Sequence, residues 1–598
     1  MINSAKLSFK EKVGYSSGDL ASRFVWDMVN FWMVFFYTDI FGISPLIAGA
    51  IVAAGSIWDA VVDPIVGIVS DRTNTRWGKF RPYLLFGSVP LAIILVLAFT
   101  TPAFSPTGMI VYAAITALLL RTAYAFVNLP YSSLSAVMTS DTVERTGLNT
   151  YRFIAANIGQ FIVSGAALFL LAYFGIWGNS EKIEKLSQEI VIVSQERNIA
   201  QGDSIIKLSE EMIENISQGG KILSSAQEIV KLVQVPNLEL AQEIGNISNR
   251  VNLPQKDSIA KLAEELIESI SRVKEIEKPA QEIIKLAQGI NPAQGDSIIN
   301  LVEKIILNTS QGGEAAKKAQ EIGNTIQTQG AQYTVILFAI LSIIFFYITF
   351  RTTKERIQPP KGQELSVKKD FKYLFKNRPW IVLTIVSLVS FIMFAMQNSA
   401  TVFYFKYYIG AAESVQLFNV LGTIAIIVAL PMSKPLAKRF GNKNVFIASS
   451  IISGIFFTLI FTAGNNLILV NTFNILAKIA YAPAIPLIWT MIADAADFGE
   501  WKLKHRTVGL CFSAAVFAQK VGWAIGASAG TWVLAASNYV ANAPVQTPEA
   551  IMGMKLLVSV IPGVLYASCA IFMAFYNLDA KTSKLMEQEL SAKRAAEM

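Results

Sequence analysis

The stretch Ser56-Ile-Trp-Asp59-Ala-Val-Val-Asp63-Pro64 sets two carboxylates four residues apart inside an apolar run. On a helix, Ser56, Asp59 and Asp63 (i, i+3, i+7) project from one face. A carboxylate surrounded by hydrocarbon is costly unless it faces a cavity and finds a partner. Two side by side repel each other unless a cation lies between them. The chemistry this predicts is an ion site: either an oxygen cage for Na+ or a pair of carboxylates that takes up H+. The plainer alternative is that a Lys or Arg pairs with each acid and cements two helices.

A second stripe lies upstream. Asp19, Arg23 and Asp27 each follow the last by four residues, a spacing at which opposite charges stabilise one another. Three ionisable groups on one face of an apolar helix need a polar cavity to look into. Sugars suit such a cavity, because carboxylates accept and guanidinium groups donate hydrogen bonds to hydroxyls while aromatic rings stack on the sugar. Tyr124 and Asn128, again four apart, join Tyr131, Arg152, Trp489 and Lys520 as further candidates for substrate contact. Arg152 and Lys520 could equally be salt-bridge partners of the acids.

These groups require elements that carry them into an apolar layer, and the composition supplies such elements. Of 598 residues, 53% are hydrophobic and 16% charged, with mean hydropathy +0.45, whereas soluble domains carry about 25% charged residues. Windows long enough to cross a hydrocarbon core of about 30 Å predict spans at 16–40, 44–70, 82–101, 108–136, 150–177, 331–351, 380–409, 412–436, 444–463, 467–497, 507–537 and 551–577. The first is too long and too aromatic for a cleaved signal peptide. The predicted fold class is an all-α membrane protein of twelve transmembrane helices in two six-helix halves, a lipid bilayer being its first partner. Lys and Arg gather in alternate connections, such as 71–82 and 352–379, and in the tail, while 101–108 and 462–466 are free of them. Cation-rich loops stay cytoplasmic, which predicts both termini inside, at a plasma (inner) membrane.

The chain is expected to divide into a first half 1–177 (spans one to five), an insert 178–330, span six at 331–351, a cytoplasmic loop 352–379, a second half 380–580 and a cytoplasmic tail 581–598. The halves echo each other. Pro64 stands seven residues before Asp71-Arg72, as Pro431 stands before Lys438-Arg439, and Pro130 and Pro486 each precede an Asp (Asp141, Asp497) by eleven. Two such halves describe the major-facilitator architecture, with a site between them near the midplane. The insert is polar and repetitive: Asp-Ser steps at Asp203, Asp257 and Asp296 are each followed, 23 residues on, by Ala-Gln-Glu-Ile at Ala226, Ala280 and Ala319. Asp ahead of an i, i+3, i+4 apolar pattern predicts N-capped amphipathic helices that bury their faces by stacking. Topology predicts an extracytoplasmic insert, with no partner identifiable.

Nothing in the chain predicts an enzyme or a cofactor. His505, the one histidine, falls in a predicted cytoplasmic loop, and no Gly-rich phosphate loop or Cys/His metal spacing occurs. Cys511 and Cys569 lie in apolar spans and read as packing residues. The charge of +8 is explained by cytoplasmic loops without invoking nucleic acid.

The segments "GYSSGDLASRF", "FFYTDIFGI", "WDAVVDPIVGIVSDRTNTRWGKFRPYLLFG", "VNLPYSSL" and "MIADAADFGEWKLKHRTVG" together resemble the glycoside–pentoside–hexuronide:cation symporters, the melibiose-permease family of major facilitators. The resemblance covers all of the chain but the insert. It implies cation-coupled sugar symport. Asp59 and Asp63 match the family's cation-site carboxylates, Tyr124, Arg152 and Lys520 its sugar cavity, and Gly67, Asp71, Arg72 and Arg76 its cytoplasmic loop signature, which latches the halves. Three departures stand out. Arg23 replaces a sugar-binding Asp, a role for which Asp27 is the candidate; Ala125 replaces a cation-site hydroxyl, with Asn128 in place of a neighbouring acid; and Ser132 replaces a sugar-stacking Trp. A site short of one hydroxyl oxygen favours H+ over Na+. Two rivals are a same-fold transporter of a lysolipid or other amphiphile, and a sensor or display protein whose spans only anchor the insert.

Overall fold

The computed structural model describes residues 6–196, 201–214, 220–250, 256–271, 276–288, 292–357, 367–411, 414–539 and 546–596. In order, the helices are α1 (Phe9–Phe35), α2 (Pro45–Arg72), α3 (Arg81–Ala98), α4 (Pro106–Met138), α5 (Thr142–Trp177), α6 (Ser180–Glu196), α7 (Gly202–Glu214), α8 (Gly220–Arg250), α9 (Lys256–Ser271), α10 (Glu277–Ala287) and α11 (Pro292–Thr352). They continue with α12 (Val367–Leu374), α13 (Arg378–Phe403), α14 (Ser414–Ala429), α15 (Ser433–Phe440), α16 (Asn442–Leu459), α17 (Leu467–Tyr481), α18 (Ala484–Leu503), α19 (Val508–Ala536), α20 (Pro548–Val558), α21 (Val560–Ala574) and α22 (Ala580–Ala596).

Local chemistry sets the starts. Ser8 and Glu11 form a capping box at α1, and Ser105 and Thr547 cap α4 and α20, each followed by a proline in the first turn, where its missing N–H is not needed. Ten helical segments among the described residues are long and apolar enough to cross a membrane, and the bent pair Thr142–Ser164 and Phe169–Trp177 makes an eleventh. α1 falls outside that count; it carries Asp19, Arg23 and Asp27 on one face. α1 and α13 both run into a π-helical turn, Phe36–Ile40 and Tyr404–Ile409, closed by a left-handed glycine, Gly42 (φ 70°) or Gly410 (φ 77°). Any side chain at those φ values is strained. The shared irregularity is a structural echo between the halves, additional to the proline spacings.

The chain forms two compact units. One comprises 1–98, 103–163 and 338–598; the other comprises 99–102 and 164–337. In the first, α19 packs on α13 through the small-residue stripe Gly522, Gly526 and Gly530. A Cβ at Gly522 would fall 2.5 Å from the Leu388 carbonyl oxygen, and one at Gly530 2.7 Å from Ser399 Oγ. Small residues at four-residue spacing let apolar helices approach closely where no hydrophobic force drives them together, and this fixes the helix that bears Lys520.

In the second unit the repeats keep register. Ile205, Ile259 and Ile298, each two residues after the repeated Asp, are buried, as are Ala226, Ala280 and Ala319. Two apolar cores result, one gathering Ile190, Ile205, Ile229 and Ile322, the other Ile244, Ile259, Ile283 and Ile305. The first two copies are split into helix pairs. In the third, one uninterrupted helix, α11, runs through Gly312-Gly313 and on from the repeat into the apolar segment after residue 330.

Candidate functional site

Asp59, Asp63, Gly67 and Asp71 recur every four residues along α2 and make one ridge, and α19 lies along it. Lys520 Nζ is 2.7 Å from Asp63 Oδ2 and 3.2 Å from Asp59 Oδ2. Arg121 Nη1 of α4 is 2.6 Å from Asp59 Oδ2. Both acids are buried, whereas the Lys520 side chain is 22% accessible. Gly55, one turn before Asp59, leaves the space that the Arg121 side chain occupies. Two acids and two bases make a neutral cluster, which is how four ionised groups tolerate an apolar layer. The sequence predicts an ion between Asp59 and Asp63 and places Lys520 in the substrate cavity; here the Lys520 ammonium itself bridges the two acids. Arg121 is a residue the sequence reading missed; its signal was an isolated Arg in the apolar run "ITALLLRTAYAF". Asp63 Oδ1 keeps no hydrogen-bond partner. The Ser56 side chain lies outside the described residues. No group of three or more His, Cys, Asp or Glu side chains arranged for a metal ion occurs among the described residues.

Further along the ridge the two backbones touch. A Cβ at Gly67 would lie 2.9 Å from the Gly509 carbonyl oxygen, and one at Gly509 2.5 Å from that of Gly67. This approach lets Asp71 Oδ2 accept from the Leu510 N–H (3.0 Å) in the first turn of α19, a carboxylate cap favoured by both hydrogen bonding and the helix dipole. Lys79 Nζ is 2.9 Å from the other Asp71 oxygen. Arg72 reaches Asp370 (3.4 Å), which also holds His505 Nε2 at 2.6 Å. Arg76, grouped with these in the sequence, is exposed and stacks on Trp77 with its guanidinium carbon 4.1 Å from the ring centroid.

A second seam joins α5 to α18. Arg145, fully buried, donates to Asp494 (2.5 Å) and Asp497 (2.9 Å), and Arg506 holds Asp497 (3.0 Å) and Glu500 (3.2 Å). Thr142 donates to Asp494 and Asn149 to Thr490. The acids Asp494, Asp497 and Glu500, three apart in an apolar span, were a legible signal that the sequence reading passed over. Lys12 and Lys434, from opposite halves, share Glu144 at 2.7 and 2.6 Å.

The α1 stripe meets the head of this second seam. Arg152 Nε is 3.1 Å from Asp19, and its Nη2 donates to Ser132 (3.1 Å). Its guanidinium carbon stands 4.4 Å from the Trp489 ring centroid and 5.1 Å from that of Tyr131, within cation–π range. Arg152 Nη1 is buried without a hydrogen-bond partner. Arg23 pairs with Asp27 (3.2 Å), whose second oxygen is likewise unpartnered. Trp26 stacks on Tyr124 (centroids 4.9 Å), and Ser22 donates to Asn128 (3.2 Å). The structure therefore brings Asp19, Arg152 and Trp489 together, sets Arg23 and Asp27 one and two turns further along α1, and leaves spare donors and acceptors of the kind a polyhydroxylated ligand satisfies.

The model of the family described as MFS/sugar transport protein matches residues 14–193 and 301–580. The chain is 24% identical to the isoprimeverose transporter of Lactiplantibacillus pentosus, over 100% of this chain and 94% of that one. It is 25% identical to a glucuronide carrier protein homolog of Escherichia coli (strain K12), over 98% and 97%. Among solved structures, a variant of the E. coli fucose:proton symporter FucP superposes with a TM-score of 0.51 at 12% identity, covering 96% of this chain and 100% of the other, a likeness of fold.

Proposed function

The chain belongs to the MFS/sugar transport protein family, and on that premise we propose that it is a secondary active transporter coupling inward movement of a sugar to that of a cation, H+ or Na+. With α1 added to the eleven apolar segments, it has twelve spans. The distribution of basic loops supports an inner-membrane protein with cytoplasmic termini and an extracytoplasmic insert at 178–330.

The observation that carries the coupling mechanism is the Lys520 ammonium, donated by the second half, lying against two carboxylates of the first. In this state Lys520 acts as an internal cation. An incoming H+ or Na+ competes for the Asp59 and Asp63 oxygens, with Ser56 as a further ligand, and releases Lys520 from the ridge. Lys520 then joins Asp19, Arg23, Asp27, Tyr124, Asn128, Arg152 and Trp489 in holding the sugar. With ion and sugar bound, the seam through Gly67, Asp71 and Arg72 loosens and the halves rock about the site. Arg76, exposed, is assigned to the loop that closes over this end. Such coupling is reciprocal: whatever factor the ion adds to sugar affinity, the sugar adds to ion affinity.

The test is uptake of glycosides, pentosides and hexuronides into proteoliposomes, with proton and sodium gradients imposed separately. Accumulation should follow one of the two gradients and vanish in Asp59→Asn while counterflow exchange persists. Gradient-driven accumulation retained by Asp59→Asn would overturn the ion assignment.

A further inference from the structure

We propose that Lys478 is the anchor of an anion subsite in the second half, which takes the carboxylate of an acidic sugar such as a hexuronide; this rests on the symport reading above. Lys478 lies on α17, eleven residues from its start at Leu467. At about 1.5 Å per residue that is roughly 16 Å into a layer about 30 Å thick, near its middle. The span continues past Lys478 as far as Leu503, so the ammonium is far from either surface, beyond the reach of a snorkelling side chain.

Among the described residues, no carboxylate pairs with Lys478 and no acceptor takes a hydrogen bond from it. Its Nζ lies 5.5 Å from the Phe394 ring centroid and 5.4 Å from that of Phe457. By contrast Asp19, Arg23, Asp27, Asp59, Asp63, Arg121, Arg152 and Lys520 all have ion-pair partners. A lone intramembrane charge is expensive, and its default meaning is function.

Three further observations point to a ligand. Asn471 and Asn474 share the Lys478 face (i, i+3, i+7), and each keeps an Oδ1 acceptor without a hydrogen-bond partner, a place for a hydroxyl of the sugar rather than for its carboxylate; Asn474, 1% exposed, spends its amide on the Phe418 carbonyl at 3.0 Å. Gly422 of α14 clears the Lys478 stem: a Cβ there would lie 3.5 Å from Lys478 Cγ and 3.1 Å from Asn474 Nδ2. Finally, the helix breaks directly after this face, α17 ending at Tyr481 and α18 starting at Ala484. Many transporter folds hold substrate where a spanning helix is interrupted near the midplane, and the interruption here is a two-residue turn, 482–483, within the span Leu467–Leu503.

The subsite is also joined to the central cluster. Phe394 contacts Trp523 (centroids 5.5 Å), both rings are partly exposed, and Trp523 is one turn from Lys520. Phe394 and Trp523 offer a surface for a sugar ring between Lys520 and Lys478. A carboxylate at one end of that ring would form charge-assisted hydrogen bonds to Lys478.

The experiment compares an aryl glucuronide with the matched aryl glucoside, which differ at one carbon, in proteoliposomes of the full chain. Lys478→Gln should lower the glucuronide-to-glucoside ratio of kcat/KM by about 10- to 100-fold, the range of one charge-assisted hydrogen bond, and Lys478→Arg should restore most of it. The ratio cancels differences in the amount of folded transporter. An unchanged ratio in Lys478→Gln, or a wild type that accumulates only the glucoside, overturns the subsite while leaving symport intact. A wild type that accumulates neither sugar under either gradient overturns the symport reading, and the subsite with it.

Discussion

Replacing Lys520 by Met removes the ammonium that touches both carboxylates of the ridge and leaves two acids facing Arg121 alone, one negative charge in excess. At N–O separations of 2.7 and 3.2 Å and an effective dielectric near 20, each contact carries roughly 5–6 kcal/mol of Coulomb attraction. Desolvation cancels much of it, and breaking a buried pair has a net cost of about 3–5 kcal/mol. Lys520 is 22% accessible, which places the value at the lower end, near ~3 kcal/mol. The same quantity is what an incoming cation must overcome in the wild type. Without Lys520 that opposition is gone, and ion affinity should rise by about 100-fold, at ~1.4 kcal/mol per tenfold. The assay is thermal unfolding of the purified protein, followed by its ten tryptophans, across sodium concentration and across pH. Lys520→Met should unfold earlier than wild type at low sodium and high pH, and should regain stability more steeply as the coupling ion is added, as mass action requires. Asp63→Asn in the same chain should flatten that response. A Lys520→Met protein as stable as wild type, with no steeper response to sodium or to protons, would refute competition between the ammonium and the ion.

Two other outcomes are expected. Asp71→Ala removes the cap on α19, a loss of about 1 kcal/mol, or roughly a fivefold shift toward the state with this seam open; in a Cys569→Ser background, maleimide labelling of Cys511, buried in this state, should accelerate by that factor. At the C-terminal helix α22, burial against the bundle, reinforced by Asp141, pushes the Glu587 carboxyl up to about 7. Arg145 opposes that shift, and Asp494 and Asp497 add to it. Because the docked value lies above the ordinary 4.5, docking is fullest below pH 4.5 and weakens as pH rises through about 7. Amide protection factors across Ala580–Ala596, taken relative to the intrinsic base-catalysed exchange rate at each pH, should therefore fall toward alkaline pH in wild type and lose that dependence in Glu587→Gln.

Much of this protein follows from short-range rules. The membrane class and most span positions are hydropathy read over windows of one helix length. The register of the insert comes from the Asp-Ser and Ala-Gln-Glu-Ile spacings, which place Ile205, Ile259 and Ile298 inward as an amphipathic helix must; the expected N-caps are not formed, because each helix starts ahead of its Asp, leaving Asp203 and Asp257 in the first turn and Asp296 five residues into α11. The Asp59–Asp63 ridge and the Asp19–Arg23–Asp27 stripe are visible because a charge in an apolar run is conspicuous and four-residue spacing puts like positions on one face. Asp494, Asp497 and Glu500 could have been found by the same rule.

What no local pattern contains is which charges meet. Asp63 and Lys520 are 457 residues apart, and Asp497 and Arg145 are separated by 352. Whether Lys520 faces a ligand or an acid depends on α19 lying against α2, which in turn requires Gly67 and Gly509 to allow backbone contact and Gly522, Gly526 and Gly530 to seat α19 on α13. Lys478 shows the same division. Its sequence neighbours predict only a lysine in an apolar span; that no carboxylate among the described residues meets it is decided by the packing of α13, α14 and α16 around it. Hydrophobic burial acts on each segment separately and so is written in the segment. Charge pairing in an apolar layer is a property of neighbours, and close packing of distant helices chooses them.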